Sequence, residues 1–359
     1  MENFKDRFSE SFLQHFVDVM IEQSSEFQAD LFLQQIYDDQ WHELAFKQRL
    51  RHIAEAITVA LHLPYPQAID ILIKAAPYCR GVEYLFFPDY VELNGLEHLD
   101  VSIRALEVFT VYSSAEFAVR PFIIRYPAQM LEQMDRWIVS DNEHLRRLAS
   151  EGFRPRLPWA TQLPLFIQDP SPTLERLTKL NNDPSLYVRK SVANHLNDIA
   201  KDHPDRIAEL AQQWYGHHTH TDWIVRHGCR TLLKRDHPAI LQLFGYIASE
   251  DVHITHFQVQ PTTVMMGDYV EFSFTLVNES ATEQSLRIDY EIHHMKANGK
   301  NAPKRFKWTA KSFASGTHVI RKKHLFKEIT TRKYYAGIHY VSIYINGVEQ
   351  DKASFMLEL

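Results

Sequence analysis

Leu186-Tyr187-Val188-Arg189-Lys190, followed fourteen positions after Arg189 by His203-Pro204, decides how this chain is read. Trp223-Ile224-Val225-Arg226-His227, followed eleven positions after Arg226 by His237-Pro238, is a second copy of the same phrase. Each predicts helix, breaker, helix, and a weaker third copy opens at Leu145-Arg146-Arg147. Arg146, Arg189 and Arg226 lie 43 and then 37 residues apart, the period of HEAT-like repeats, in which helix pairs stack into a solenoid. Stacking sets equivalent side chains side by side along one groove, and the side chains that recur here are basic.

Outward from these copies, residues 1 to about 250 read as helix after helix. Ile53, Ile57, Ala60 and Leu61 keep the i, i+4, i+7, i+8 spacing of a buried helical stripe. Pro64, Pro66, Pro77, Pro88, Pro127, Pro170, Pro172, Pro204 and Pro238 punctuate the periodic segments. Residues 152–172 carry Gly152 and five prolines, a long irregular segment of the kind that is often functional. Near Asp251 the period changes to two. Phe257–Gln260, Val270–Leu276, Leu286–Ile292 and Tyr340–Ile345 alternate apolar and polar residues, and Gly267, Asn298-Gly299, Ser315-Gly316 and Asn346-Gly347 supply turns. About seven short strands in roughly a hundred residues predict an immunoglobulin-like sandwich. The expected architecture is an α-solenoid of HEAT-like repeats over 1–250 and an all-β immunoglobulin-like sandwich over 251–359.

Composition narrows the function. The chain has 359 residues, 45% hydrophobic and 23% charged, an ordinary globular balance. No apolar run approaches the roughly 18 residues that cross a bilayer, and the first residues show neither the basic nor the apolar part of a secretory signal. Cys79 and Cys229 make no disulfide framework and fit a reducing cytosol. A cytoplasmic protein without membrane contact is expected. The net charge of −6 is unevenly placed: residues 1–100 carry 7 basic and 17 acidic side chains, 101–250 carry 18 and 17, and 251–359 carry 14 and 11. A polyanion-binding face is therefore allowed after residue 100. His217, His218 and His220 with Asp222 have no second ligand pair at zinc-site spacing, so no metal is expected. Glycine-rich phosphate loops are absent, and no cofactor is expected.

In a helix over 187–201, Val188, Val192, Leu196 and Ile199 form the buried stripe, while Lys190, Asn194, Asp198 and Lys201 share the other side. That side is either a solvated surface with an Asp198–Lys201 pair or part of a groove. Alignment with the copy at Leu145 puts Glu151 opposite Asn194, so a carboxylate recurs one repeat earlier, followed by the proline-rich segment with Trp159. Cations suit phosphates; carboxylates repel them and need another purpose. Glu116 is either the N3 member of a capping box begun by Ser113 or a site residue turned into the groove by a helix kinked at Pro121.

Ala115-Glu116-Phe117-Ala118-Val119-Arg120-Pro121-Phe122, the stretch from Ala149 through Glu151-Gly152-Phe153-Arg154 to Trp159, and Tyr187–Asp198 together resemble the HEAT-repeat DNA alkylation-repair glycosylases of the AlkC/AlkD superfamily, in the AlkC branch. The C-terminal region resembles the immunoglobulin-like domain that some members append. The resemblance implies excision of cationic N-methylated bases, 3-methyladenine and 3-methylcytosine, from double-stranded DNA without base flipping, by a monomer. It places the active-site residues at Glu116, Glu151, Trp159 and Asp198.

Breaking the bond to a cationic base leaves a neutral base and an oxocarbenium-like sugar, which calls for fixed negative charge and a positioned water. Asp198 is expected to stabilise the sugar and align the water, Glu116 and Glu151 to add charge, and Trp159 to offer a π face. Arg147, Arg154, Arg189, Lys190, Asn194, Arg226 and His227 are expected to hold DNA in the groove. Lys304, Arg305 and Lys307, in a lysine-rich stretch that also reads as a solvated hairpin, would clamp the duplex. Two other readings share the repeats: a non-catalytic DNA-binding scaffold and a protein-interaction module.

Overall fold

A computed structural model describes residues 4–329 and 332–359. The helices are α1 (Glu10–Gln23), α2 (Ala29–Ile36), α3 (Phe46–Leu61), α4 (Tyr65–Ala75), α5 (Phe86–Asn94), α6 (Leu99–Tyr112), α7 (Arg120–Arg125) and α8 (Pro127–Ile138). They continue as α9 (Glu143–Glu151), α10 (Pro164–Gln168), α11 (Ser171–Leu177), α12 (Leu186–Ile199), α13 (Pro204–Trp214), α14 (Thr219–Gly228), α15 (Arg230–Lys234) and α16 (Pro238–Leu243). The strands are β1 (Val252–Gln260), β2 (Thr263–Met265), β3 (Tyr269–Asn278), β4 (Gln284–Met295), β5 (Asn301–Phe313), β6 (Gly316–Leu325), β7 (Gly337–Ile345) and β8 (Val348–Glu358). Helix gives way to strand between Leu243 and Val252. By packing, however, the chain divides into one unit that runs to Asp202 and takes in Trp214–Gly228, and another made of His203–Gln213 and Cys229–Leu359.

In the helical unit the three copies of the repeated phrase are α9, α12 and α14, with α12 packed against both others. Val188, Val192, Leu196 and Ile199 are buried, as their spacing requires. Gly228 lets α14 approach closely: a Cβ there would lie 3.1 Å from Leu196 Cβ. Many of the prolines start helices instead of ending them. Pro66, Pro121, Pro127, Pro164 and Pro238 occupy first-turn positions, where the missing N–H has no intrahelical partner to lose. Pro121 therefore begins α7 and kinks nothing. No single helix among the described residues is long and apolar enough to cross a membrane.

The other unit carries a three-stranded sheet, β1-β3-β6, and a five-stranded sheet, β2-β8-β7-β4-β5. Among the described residues only β2 runs parallel to its neighbour, β8. Val270, Phe272, Phe274 and Leu276 of β3 share one core with Leu286, Ile288, Tyr290 and Ile292 of β4 and with β7 and β8, which is the inward alternation of a β-sandwich. Gly267, Gly299, Gly316 and Gly347 adopt positive φ at the predicted turns.

This core includes an unusual polar element. His294 is buried with both ring nitrogens unpartnered, and burial followed by the nearby Arg332 charge brings its pKa down to about 3. His324 is brought down to about 4, first by burial and then by Arg332, and burial also lowers His339. Their folded pKa values lie below the unfolded value of roughly 6.5, so the unfolded chain takes up protons first as pH falls. Stability is full above that value and is lost progressively toward pH 4. We expect the denaturant midpoint of this unit to fall between pH 7 and pH 5, and His294→Phe to flatten that slope; chemical denaturation at several pH values checks it.

Candidate active site

The turn between α6 and α7 places Glu116. Ser113 closes α6 as its C-cap and its hydroxyl is buried without a partner, so no capping box forms. Glu116 instead accepts a hydrogen bond from Ser114 Oγ at 2.7 Å and forms an ion pair with Arg147. Arg147 lies four residues before Glu151 on α9 and approaches its carboxylate at 3.7 Å. It also donates to Ser114 Oγ at 2.8 Å and stacks 5.1 Å from the Tyr187 ring centroid. Glu151 is 6% exposed and accepts from Ser191 Oγ and from Arg154, each at 2.6 Å. Arg154 continues to Asp198 at 2.7 Å, and Asp198 meets Lys201 at 2.8 Å.

The result is a chain of alternating charge: Glu116, Arg147, Glu151, Arg154, Asp198, Lys201. Burial opposes the Arg147 charge, yet Glu116 and Glu151 hold its pKa above the ordinary value. Burial likewise opposes Arg154, and Glu151 and Asp198 raise it. Beneath the chain, His195 donates from Nδ1 to the Ser150 carbonyl at 2.9 Å, and burial drives its pKa down to about 3, so it stays neutral. Gly152 ends α9 where a Cβ would meet Val119 Cγ1 at 2.6 Å; only glycine lets the Glu116 turn lie against this helix end.

Arg120 organises the irregular segment. Its Nε donates to the Thr161 carbonyl at 2.5 Å and its Nη1 to the carbonyls of Gly152 and Arg154 at 2.9 and 2.8 Å. Burial, and then the neighbouring Arg154 charge, bring its pKa down to about 10. Within this braced segment Trp159 has φ +63° and its side chain stands 72% exposed. A left-handed conformation at a bulky aromatic residue costs on the order of 1–3 kcal/mol and persists only where the surroundings enforce it, most often at functional sites.

These parts line one cleft of about 480 Å³, with Lys47, Glu116, Phe117, Glu151, Arg154 and Trp159 in its wall. Three of the four expected catalytic residues thus meet there. Asp198 is joined to them through Arg154 but is 1% exposed, and both its oxygens are taken by cations. It is neither a solvated surface residue nor part of this wall.

Several expected DNA-holding residues are employed elsewhere. Arg189 Nη1 donates to the carbonyls of Asp183 and Pro184 at 2.7 and 2.8 Å. Arg146 Nη1 does the same to Ser140 and Asp141, each at 2.9 Å. Arg146 and Arg189 thus each staple the loop that enters their own helix. Arg147 and Arg154 pair with the carboxylates of the cleft. Arg226 bonds the Tyr215 hydroxyl and His227 stacks on Trp223 at 5.1 Å. Asn194 is half-buried, and Lys190 is exposed on α12. In β5, Arg305 is committed to Asp236 and Glu291 and lies 3.5 Å over the Tyr344 ring, whereas Lys304 and Lys307 are exposed. Sequence reading missed Lys47, whose acidic surroundings carry no motif, and gave no task to Arg120, although it stands inside a quoted phrase.

A helical-repeat protein with a carboxylate-bearing cleft and an immunoglobulin-like unit is the class that fold and site define. The model of the family described as "DNA alkylation repair enzyme" matches residues 103–234. The model described as "Uncharacterised protein YhaZ, C-terminal Ig-like domain" matches residues 253–359. The chain is 42% identical over 358 residues to YhaZ of Bacillus subtilis (strain 168), covering 99% of this chain and 100% of that one. It is 39% identical, with a TM-score of 0.96 and full coverage of both chains, to the alkylpurine DNA glycosylase AlkC of Pseudomonas fluorescens, whose structure was solved bound to DNA containing an abasic site analogue. The chain belongs to the DNA alkylation repair enzyme family, in its AlkC branch with a C-terminal immunoglobulin-like domain.

Arg154 carries the sharpest structural consequence. Its removal takes one cation from each of two buried carboxylates, Glu151 and Asp198, and breaking a buried pair costs about 3–5 kcal/mol. We expect Arg154→Ala to lower the thermal midpoint of the helical unit strongly and Lys190→Ala to leave it unchanged, as read by calorimetry.

Proposed function

We propose that the protein is a monofunctional DNA glycosylase that hydrolyses the N-glycosidic bond of cationic alkylated bases, 3-methyladenine and 3-methylcytosine, in double-stranded DNA. The observation that carries this reading is the pair Glu116 and Glu151 in the wall of one cleft, each hydrogen-bonded and each paired with arginine. A binding scaffold has no use for carboxylates fixed inside a DNA groove. A protein-interaction module has no use for an exposed tryptophan held in a strained backbone beside them.

The chemistry follows from the charges. A base that is already cationic departs neutral, so no acid is needed to protonate it. The developing demand is on the sugar, which becomes oxocarbenium-like. Carboxylates paired with Arg147 and Arg154 meet that demand and orient the attacking water. One unit charge at 4 Å is worth about 4 kcal/mol at an effective dielectric near 20, which amounts to several hundredfold in rate at roughly 1.4 kcal/mol per decade. A neutral adenine would leave as an anion and lacks this advantage, so the site selects lesions by their charge. Trp159 offers its π face to the cationic base or sugar. Asp198 acts through Arg154, keeping Glu151 in place. The open cleft suits attack at the sugar of a nucleotide that stays in the duplex, without base flipping. Water is the nucleophile, and no cofactor enters.

DNA contact falls to cations with exposed charge, Lys190 on α12 and Lys304 and Lys307 on β5, with Asn194, Arg226 and His227 beside the first. Each phosphate neutralised adds about 0.9 to the logarithmic salt dependence of binding. We expect Lys304→Glu with Lys307→Glu to reduce that slope by about two; an unchanged slope in fluorescence-anisotropy titrations removes β5 from the interface.

The direct test of activity is incubation with methylated duplex DNA and chromatography of the released bases. Free 3-methyladenine is expected from the parent protein. Glu151→Gln and Glu116→Gln should each slow release by roughly a hundredfold or more, the loss typical of a preorganised charged group, with binding retained. Parental rates in both variants would remove the carboxylates from the chemistry.

A further inference from the structure

The structure assigns Lys47 as a positioning residue that holds Trp159 in its exposed, left-handed conformation and ties it to the turn carrying Glu116. This inference rests on the glycosylase reading for its kinetic consequence, though its geometry stands apart from it.

Lys47 belongs to the first turn of α3, 112 residues before Trp159. Its Nζ donates to the Trp159 carbonyl at 2.6 Å and lies 4.5 Å from the centroid of the Phe117 ring. Phe117 is the neighbour of Glu116, and Phe117 and Trp159 both line the cleft with Lys47. One ammonium thus touches the turn that bears a carboxylate and the loop that bears the exposed indole.

Trp159 needs such a contact. Its φ of +63° is disfavoured for a bulky side chain, so the loop must be held from outside. Arg120 holds the carbonyls of Gly152 and Arg154 before it in the chain and of Thr161 after it. The Trp159 carbonyl itself is held by Lys47. A charge-assisted hydrogen bond to a carbonyl is stronger than a neutral one, and the Phe117 face adds attraction for the same cation. With its carbonyl fixed, the Trp159 peptide cannot relax and the indole stays at the rim of the cleft. A lysine in a DNA repair cleft invites the different role of phosphate ligand; here the ammonium is directed to a backbone oxygen of the loop.

The experiment uses the full chain labelled with 5-fluorotryptophan, the Trp159 resonance being assigned with Trp159→Phe, together with single-turnover base release from methylated duplex DNA. Lys47→Met, which keeps the length of the stem and removes the charge, should shift or broaden the Trp159 resonance and leave those of the buried tryptophans in place. It should slow base release by roughly tenfold to a hundredfold, the range expected of a displaced cleft group. In Lys47→Met with Trp159→Ala the loss should equal that of Trp159→Ala alone, because both act through one side chain. Lys47→Arg should recover part of the rate. An unmoved Trp159 resonance in Lys47→Met overturns the assignment, whatever the activity. Multiplicative losses in the double variant, with a salt slope of binding reduced by about one, also overturn it and make Lys47 a phosphate ligand. A parent protein that releases no methylated base contradicts the glycosylase reading alone, and the resonance still decides the Lys47 contact.

Discussion

Negative charge can be kept inside a half-buried cleft only if positive charge is interleaved with it. Glu116, Glu151 and Asp198 would repel one another if they stood alone. Arg147 between the first two and Arg154 between the last two make the arrangement stable. Guanidinium suits this position because it remains charged when buried and spans two acceptors. The rest of the helical unit serves that chain: α9 supplies Arg147 and Glu151, α12 supplies Ser191 and Asp198, and the Gly152 contact brings in the Glu116 turn.

The same interleaving explains how a protein with a net charge of −6 can approach DNA with carboxylates at its centre. The cleft's own cations offset the carboxylates' repulsion toward phosphate, and on the proposed reading Glu116 and Glu151 act on a sugar within it. On the proposed reading, specificity needs no reading of base edges, since a lesion that carries positive charge has a bond already weakened and a transition state that carboxylates favour.

Much of this was legible in the chain. Period two after Asp251 located the strands, because a sandwich buries alternate residues and nothing else reproduces that pattern over so many short segments. The repeated phrase located α9, α12 and α14 as stacked helices. What periodicity could not show is the use of each cation. Arg146 and Arg189 recur because the loops before α9 and α12 both have carbonyls to satisfy, a need of the backbone. Asp198 shares a helix side with exposed Lys190 but is buried by Arg154, which comes from a loop whose path no spacing rule describes. Lys47 is remote in sequence from everything it touches. Long-range pairings of single charged residues leave no periodic trace, and that is where the sequence reading of the site ran short.

The central claim is that the carboxylates in this cleft are arranged for a positively charged sugar. It is tested most directly by comparing affinities for duplexes containing a cationic pyrrolidine in place of one deoxyribose and for duplexes containing its neutral tetrahydrofuran counterpart. The account requires the cationic duplex to bind substantially tighter, with the difference lost in Glu151→Gln. Equal affinity for the two duplexes, or a preference that survives Glu151→Gln, would contradict it.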